Sequence, residues 1–243
     1  MKTFLSASLL CLLAVSTFHA ADAPAAKGKA KAPRAPNPAM AKIEDVAGLP
    51  RVLLIGDSIS IGYTLPVREL LKGKANVHRI PTNGGPTTNG LKGLTGWLGD
   101  AKWDVIHFNW GLHDLKYIQE DASKRADPKA PGSHPQVPLA EYEKNLATLV
   151  AQLKTTGAKL IWCSTTPVTA GSEGRVEGDE KMYNEAAARV MTAAGIPTDD
   201  LCAHASAKIK DIQSSPGNVH YTPDGSKYLA EKVAAEIGKA LAK

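Results

Sequence analysis

The chain has 243 residues, 29 Lys plus Arg against 24 Asp plus Glu, a formal net charge of +5 and 43% hydrophobic residues. That length and apolar share exclude a wholly disordered chain and suit a domain with a real core. From Val46 onward 23 basic residues face 21 acidic ones, so the positive surplus lies near the N-terminus and no basic nucleic-acid-binding fold is expected.

The first segment, MKTFLSASLLCLLAVSTFHA, sets one lysine before an apolar run, with small residues around Ala20 to Ala23. This is the layout of a secretory signal peptide, and the run is too short and wrongly flanked to span a membrane. Residues 1–23 are therefore expected to direct export, with the cut after Ala20, Ala21 or Ala23. The product is expected to be secreted or periplasmic, without stable membrane insertion. Cys11 lacks the preceding small residue of a lipoprotein site. Residues 24–45 are rich in Ala, Pro and Lys and have no hydrophobic periodicity. They bury too little apolar surface to offset ordering entropy, which predicts a mobile linker. Residues 46–243 then form the single domain.

Within it, RVLLI (residues 51–55) is a short apolar run ending in Gly-Asp-Ser, as a central parallel strand should be. Residues 76–80 and 104–109 follow as second and third strands. Residues 117–138 are long, polar and proline-dotted, predicting a loop at the rim of a site. Leu139, Tyr142, Leu146, Leu149, Val150 and Leu153 recur at helical spacing. Residues 158–163 make the fourth strand, a helix runs from 179 to 194 and stops at Gly195, and residues 196–201 make a fifth strand. In the last helix Thr222 is placed to cap, Pro223 takes the first position, and Leu229, Val233, Ile237 and Leu241 form the apolar face. Alternating strands and helices predict a three-layer α/β/α sandwich around a mostly parallel five-stranded sheet, with its chemistry beyond the carboxyl ends of the strands.

Once the leader is removed, Cys163 and Cys202 are the remaining cysteines, either buried thiols or a single bridge. They lack zinc spacing, and His78, His107, His134 and His204 share no ligand spacing either. No metal and no cofactor are expected.

Four loops carry the chemistry. Gly56-Asp57-Ser58-Ile59-Ser60 leaves the first strand, Asn83-Gly84-Gly85-Pro86-Thr87-Thr88 follows the second, and Gly111-Leu112-His113-Asp114 follows the third. Asn218-Val219-His220-Tyr221 precedes the last helix. In this order they resemble the four sequence blocks of the SGNH (GDSL-type) hydrolases, over a region from about Arg51 to the C-terminus. The Gly-x-Ser-x-Gly of ordinary α/β-hydrolases is absent.

The resemblance implies a flavodoxin-like sheet topology, Ser58 as nucleophile and His220 as general base. It also implies an oxyanion hole built from the amides of Ser58 and Gly85 and a third donor. In the family that donor is the asparagine of Gly-x-Asn-Asp; here the position is His113, either a replacement donor or a turn residue. Asn109 is a second candidate donor, though strand-end packing also suits it. Asp57 and Asp114 are expected to hold loop backbones, and Ser60 to lie inside the helix. The family's Asp-x-x-His places an orienting acid three residues before the base, where this chain has Gly217. A backbone carbonyl or an acid elsewhere, such as Asp211, is then expected to orient His220, while Asp224 belongs to the helix start.

The activity implied is hydrolysis of small acyl esters, O-acetyl groups on a carbohydrate above all, through an acyl-serine. Lysophospholipase or arylesterase activity, or non-catalytic glycan binding, are the alternatives. The expected partner is a small-molecule or glycan ester, not nucleic acid, and the expected state is a monomer.

Overall fold

The computed structural model describes residues 37–121 and 124–242; the expected signal peptide and residues 24–36 of the expected linker lie outside them. In chain order the domain runs β1 (Arg51–Ile55), α1 (Ser58–Leu70), β2 (Asn76–Arg79), α2 (Thr87–Leu98), β3 (Val105–Phe108), β4 (Tyr117–Ile118), β5 (His134–Pro135) and α3 (Leu139–Lys154). It continues with β6 (Lys159–Cys163), α4 (Glu180–Ala194), β7 (Thr198–Asp199), α5 (Leu201–Ser206), α6 (Ile209–Ile212) and α7 (Pro223–Ala242).

Five strands form one parallel sheet in the order β2-β1-β3-β6-β7. Val52 to Ile55 and Val105 to Phe108 are almost wholly buried, because helices cover both faces of such a sheet. Alternation along β3 sends His107 toward Tyr63 of α1, their ring centroids 6.4 Å apart, and Phe108 toward Trp110 and Trp162. One layer is α1 against α7; the other is α2, α3 and α4 side by side. The α3 stripe Tyr142, Leu146, Leu149, Val150 and Leu153 is buried, as are Leu229, Val233 and Ile237 of α7. Each such side chain contributes about 1.5–3 kcal/mol of hydrophobic stabilisation.

The helix ends follow the local chemistry. Thr222 Oγ1 accepts from Gly225 N at 2.9 Å to start α7, and Gly195, at φ +69°, closes α4 in the left-handed region. The chain leaves β1 toward β2 on one side and later toward β3 on the other. The crevice at that reversal is where ligands bind in open α/β sheets.

Three features differ from the sequence reading. Residues 37–45, assigned by composition to the linker, lie on the domain. Arg68 donates to Pro38 O and Ala41 O, Ala39 is buried, and Asp45 holds Arg51 Nε at 2.9 Å and His78 Nε2 at 2.6 Å. These anchors are backbone carbonyls and one carboxylate, to which hydrophobic periodicity is blind. Residues 117–138 carry a small antiparallel pairing, Tyr117 with Pro135 and Ile118 with His134. The fifth strand shrinks to Thr198–Asp199, because Asp200 turns to cap α5 by accepting from Ala203 N. Cys163 and Cys202 are free thiols, the first buried. Among the described residues no helix is long and apolar enough to cross a membrane.

Candidate active site

Strand β1 delivers Gly56-Asp57 directly into α1. Asp57 caps that helix, its Oδ1 accepting from Ile59 N at 2.9 Å, and Ser58 takes the first helical position. The Ser58 amide therefore has no carbonyl of its own helix to serve. Ser58 Oγ lies 2.9 Å from His220 Nε2 across 162 residues of sequence. The Ser60 hydroxyl is buried and donates to Asp57 O, which leaves it no path to an external ligand.

The imidazole of His220 is held from its other side. His220 Nδ1 lies 2.9 Å from Asn218 Oδ1, which also accepts from His220 N at 3.0 Å. An amide oxygen only accepts, so Nδ1 carries the proton and Nε2 is the acceptor facing Ser58. Asn218 is itself pinned, since its carbonyl accepts from Gln213 Nε2, which also donates to Thr169 Oγ1. Asp211 sits on α6 and Asp224 pairs with Lys227 Nζ at 2.9 Å; the acceptor on Nδ1 is Asn218. Gly217 explains why no acid stands at the family position. Its φ is +73°, and a Cβ there would fall 2.8 Å from Gly171 O and 2.9 Å from Gly171 C.

The loops that flank Ser58 are locked to it through backbone. Gly84 N donates to Gly56 O at 2.9 Å, and a Cβ on Gly84 would sit 2.9 Å from that same oxygen. Arg79 ends β2, inside a run whose pattern reads as a plain strand and gives no sign of a site residue. Its guanidinium is buried and donates to Gly56 O (2.8 Å), Asp57 O (3.0 Å) and Ser60 Oγ (2.8 Å) from Nη2. From Nη1 it donates to Ile80 O (2.9 Å) and Thr82 O (2.6 Å). It joins the serine turn to the loop after β2, and its burial draws its pKa down to about 10.

Gly85, expected to present a free amide, donates instead to Asn83 Oδ1 at 2.9 Å. Asn83 and Gly85 stand two residues apart, the spacing of an Asx turn. Asn109 Nδ2 donates to Cys163 O at 2.8 Å, which is strand-end packing. His113 is half-buried, and its imidazole makes no hydrogen bond to protein among the described residues. Burial lowers its pKa; Asp57 opposes this, while the charges of Arg175, Lys116 and His220 add to it. The neutral ring so favoured keeps one N–H to donate. Asp114 Oδ1 accepts from Thr87 N (2.8 Å) and Thr87 Oγ1 (2.6 Å), and burial raises its pKa to about 7.

One group among the described residues has metal-ligand chemistry: His107, Cys163 and Asp199, with ligand atoms within 4.8 Å of one another. All three are buried in the sheet, and His107 Nε2 is already on Asp199 Oδ2 at 3.0 Å.

Residues 54–228 match the family model described as the GDSL-like lipase/acylhydrolase family. The chain belongs to this family. This GDSL-type hydrolase is therefore an ester-hydrolysing enzyme, with the five-stranded parallel sheet of its SGNH relatives. A comparison with curated proteins gives no match. Among solved structures the GDSL-type chain is similar to a lipase/acylhydrolase from Enterococcus faecalis (TM-score 0.64, 19% identity, 79% of this chain and 96% of that one). It is also similar to an acetyl xylan esterase (TM-score 0.61, 16% identity, 77% and 99%) and to an acetylxylan esterase from Geobacillus stearothermophilus (TM-score 0.60, 18% identity, 78% and 94%). At these identities the likeness concerns the fold.

Proposed function

We propose that this enzyme is an exported serine esterase that removes small acyl groups, O-acetyl in particular, from a carbohydrate through an acyl-serine at Ser58. The observation that carries the reading is the 2.9 Å contact between Ser58 Oγ and His220 Nε2, with Nδ1 held by Asn218.

In this mechanism Nε2 takes the hydroxyl proton as Oγ attacks the ester carbonyl, and the imidazolium so formed keeps its Nδ1–H on Asn218 Oδ1. The Ser58 amide, at the positive end of α1, and the N–H of His113 donate to the developing oxyanion. The Gly85 amide joins them by exchanging Asn83 Oδ1 for the oxyanion, because a charged acceptor binds a donor more strongly than a neutral amide does. The imidazolium then protonates the departing alcohol. Water, with its proton passing to Nε2, hydrolyses the acyl-serine and restores both residues. No other reactant is consumed.

Export rests on the charged, apolar and small-residue layout of residues 1–23. A glycan is favoured by the walls of the cleft at His220, which include Arg125, Glu173, Arg175 and Asn218; charged walls suit hydroxyl-rich sugars better than a long acyl chain. Two of the similar folds are acetylxylan esterases by name, in keeping with an acetyl group as the part removed.

A fluorophosphonate probe tests the assignment. The wild-type enzyme is expected to be labelled at Ser58 and to release acetate from acetyl esters faster than from octanoyl esters. Ser58→Ala should lose both labelling and turnover while keeping its melting temperature. Labelling that persists in Ser58→Ala, or a preference for the octanoyl ester, would overturn the assignment or the acyl-size reading respectively.

A further inference from the structure

The cleft that contains His220 has a volume of about 330 Å³ and brings Arg125, Glu173 and Arg175 to the 215–220 segment. Arg175 Nε and Nη2 donate to Leu112 O at 3.0 and 2.8 Å, and Nη1 donates to Glu173 O at 3.3 Å. A guanidinium has five N–H groups, so one on each terminal nitrogen is left over. Among the described residues no carboxylate lies within ion-pair distance of Arg175. Burial draws its pKa down to about 10, and the charges of Asp57 and Glu173 only partly oppose this. Arg125 lies across Gly174 and pairs with Glu173, Nη2 to Oε2 at 3.1 Å, with both side chains well exposed. Exposed pairs of that kind contribute little and exchange readily.

We propose that this cleft is a subsite for a substrate carboxylate, so that the enzyme prefers acyl esters carried on an acidic sugar such as a uronate. A carboxylate accepts two parallel N–H bonds from a guanidinium, which a neutral sugar cannot match. Arg175 fits that role because Leu112 O fixes its plane. Leu112 precedes His113, so the same arginine also ties the subsite to the loop beside the base. Arg125 supplies a second, movable cation once Glu173 yields to the ligand. The proposal rests on the reading of Ser58 and His220 as an esterase pair, and it names the substrate class of that site.

The test compares acetate release from an O-acetylated oligogalacturonate with release from the same oligosaccharide whose carboxylates are converted to carboxamides. The wild-type enzyme is expected to favour the acid form by about tenfold or more in kcat/KM, mainly through KM, and the preference should shrink with added salt. Arg125→Gln should lower the ratio of the two kcat/KM values severalfold. Glu173→Gln removes the competing carboxylate and should raise it. Both positions are exposed, so folding is not at stake. A wild-type ratio near one, or a ratio that neither substitution moves, overturns the subsite while leaving the esterase standing. No acetate from either substrate, together with no fluorophosphonate label, removes the esterase reading and the subsite with it.

Discussion

His220 needs an acceptor on Nδ1, because that acceptor decides which ring nitrogen faces Ser58. In this chain a neutral amide oxygen takes the place on Nδ1 that the resemblance assigns to a carboxylate, from two residues upstream rather than three. The Asn-x-His spacing is visible in the sequence, but Gly217 at the family position has no side chain, so the sequence points to Asp211 or a backbone carbonyl instead. Only the approach of Gly171 shows why the orienting residue moved. Asn218→Ala should lower kcat by about a hundredfold or more through the wrong tautomer. Asn218→Asp keeps the acceptor and adds a negative charge, which favours the imidazolium. It should retain turnover within about tenfold and move the acid limb of kcat/KM to higher pH. An alanine variant with wild-type kcat and an unmoved pH profile would take Asn218 out of the mechanism.

Between elements, the loop after β3 and the first turn of α2 are tied by Asp114, whose Oδ1 takes both the Thr87 amide and hydroxyl, while Oδ2 is buried without a partner among the described residues. Burial raises its folded pKa to about 7 from an ordinary value of 3.8, so between those values the folded state binds more protons than the unfolded one. Its contribution to stability is then complete at acid pH and is lost as pH rises through about 7, at up to about 1.4 kcal/mol per pH unit. Asp114→Asn keeps an oxygen for Thr87 and is always uncharged, so its melting temperature should fall less than wild type between pH 5 and pH 8. Parallel curves for the two proteins would mean that Asp114 is ionised when folded. At this scale the sequence is unevenly legible. β1 and β6 announce themselves because strands buried on both faces are nearly continuous apolar runs, and β3 does so although His107 interrupts it. β4 and β5 are two residues each and have no period to detect. Arg79 and Arg175 escape because a charged side chain reads as solvent-facing until the carbonyls that receive it are brought there by the fold.

For the molecule as a whole, the question is where the folded unit starts. The described residues from Asn37 onward belong to one compact unit, which begins about nine residues before the composition-based boundary at Val46. The added segment is bound by dispersed polar contacts. Arg68 donates to Pro38 O and Ala41 O, Arg79 Nη1 reaches Met40 Sδ at 3.3 Å, and Asp45 bridges Arg51 and His78. Removing it strips partners from three arginines, Arg51, Arg68 and Arg79, the last of which also holds the carbonyls of Gly56 and Asp57 under the serine. Lost hydrogen bonds and the exposure of what Ala39 covers amount to about 2–3 kcal/mol, or roughly 5–10 °C in a domain of this size. A chain beginning at Val46 should therefore melt that much lower than one beginning at Pro36. Its kcat on acetyl esters should fall as well, since the serine turn loses rigidity at its arginine support. Equal melting temperatures and equal kcat would show that the segment merely rests on the surface, and that Arg79 holds the turn without help from the chain in front of it.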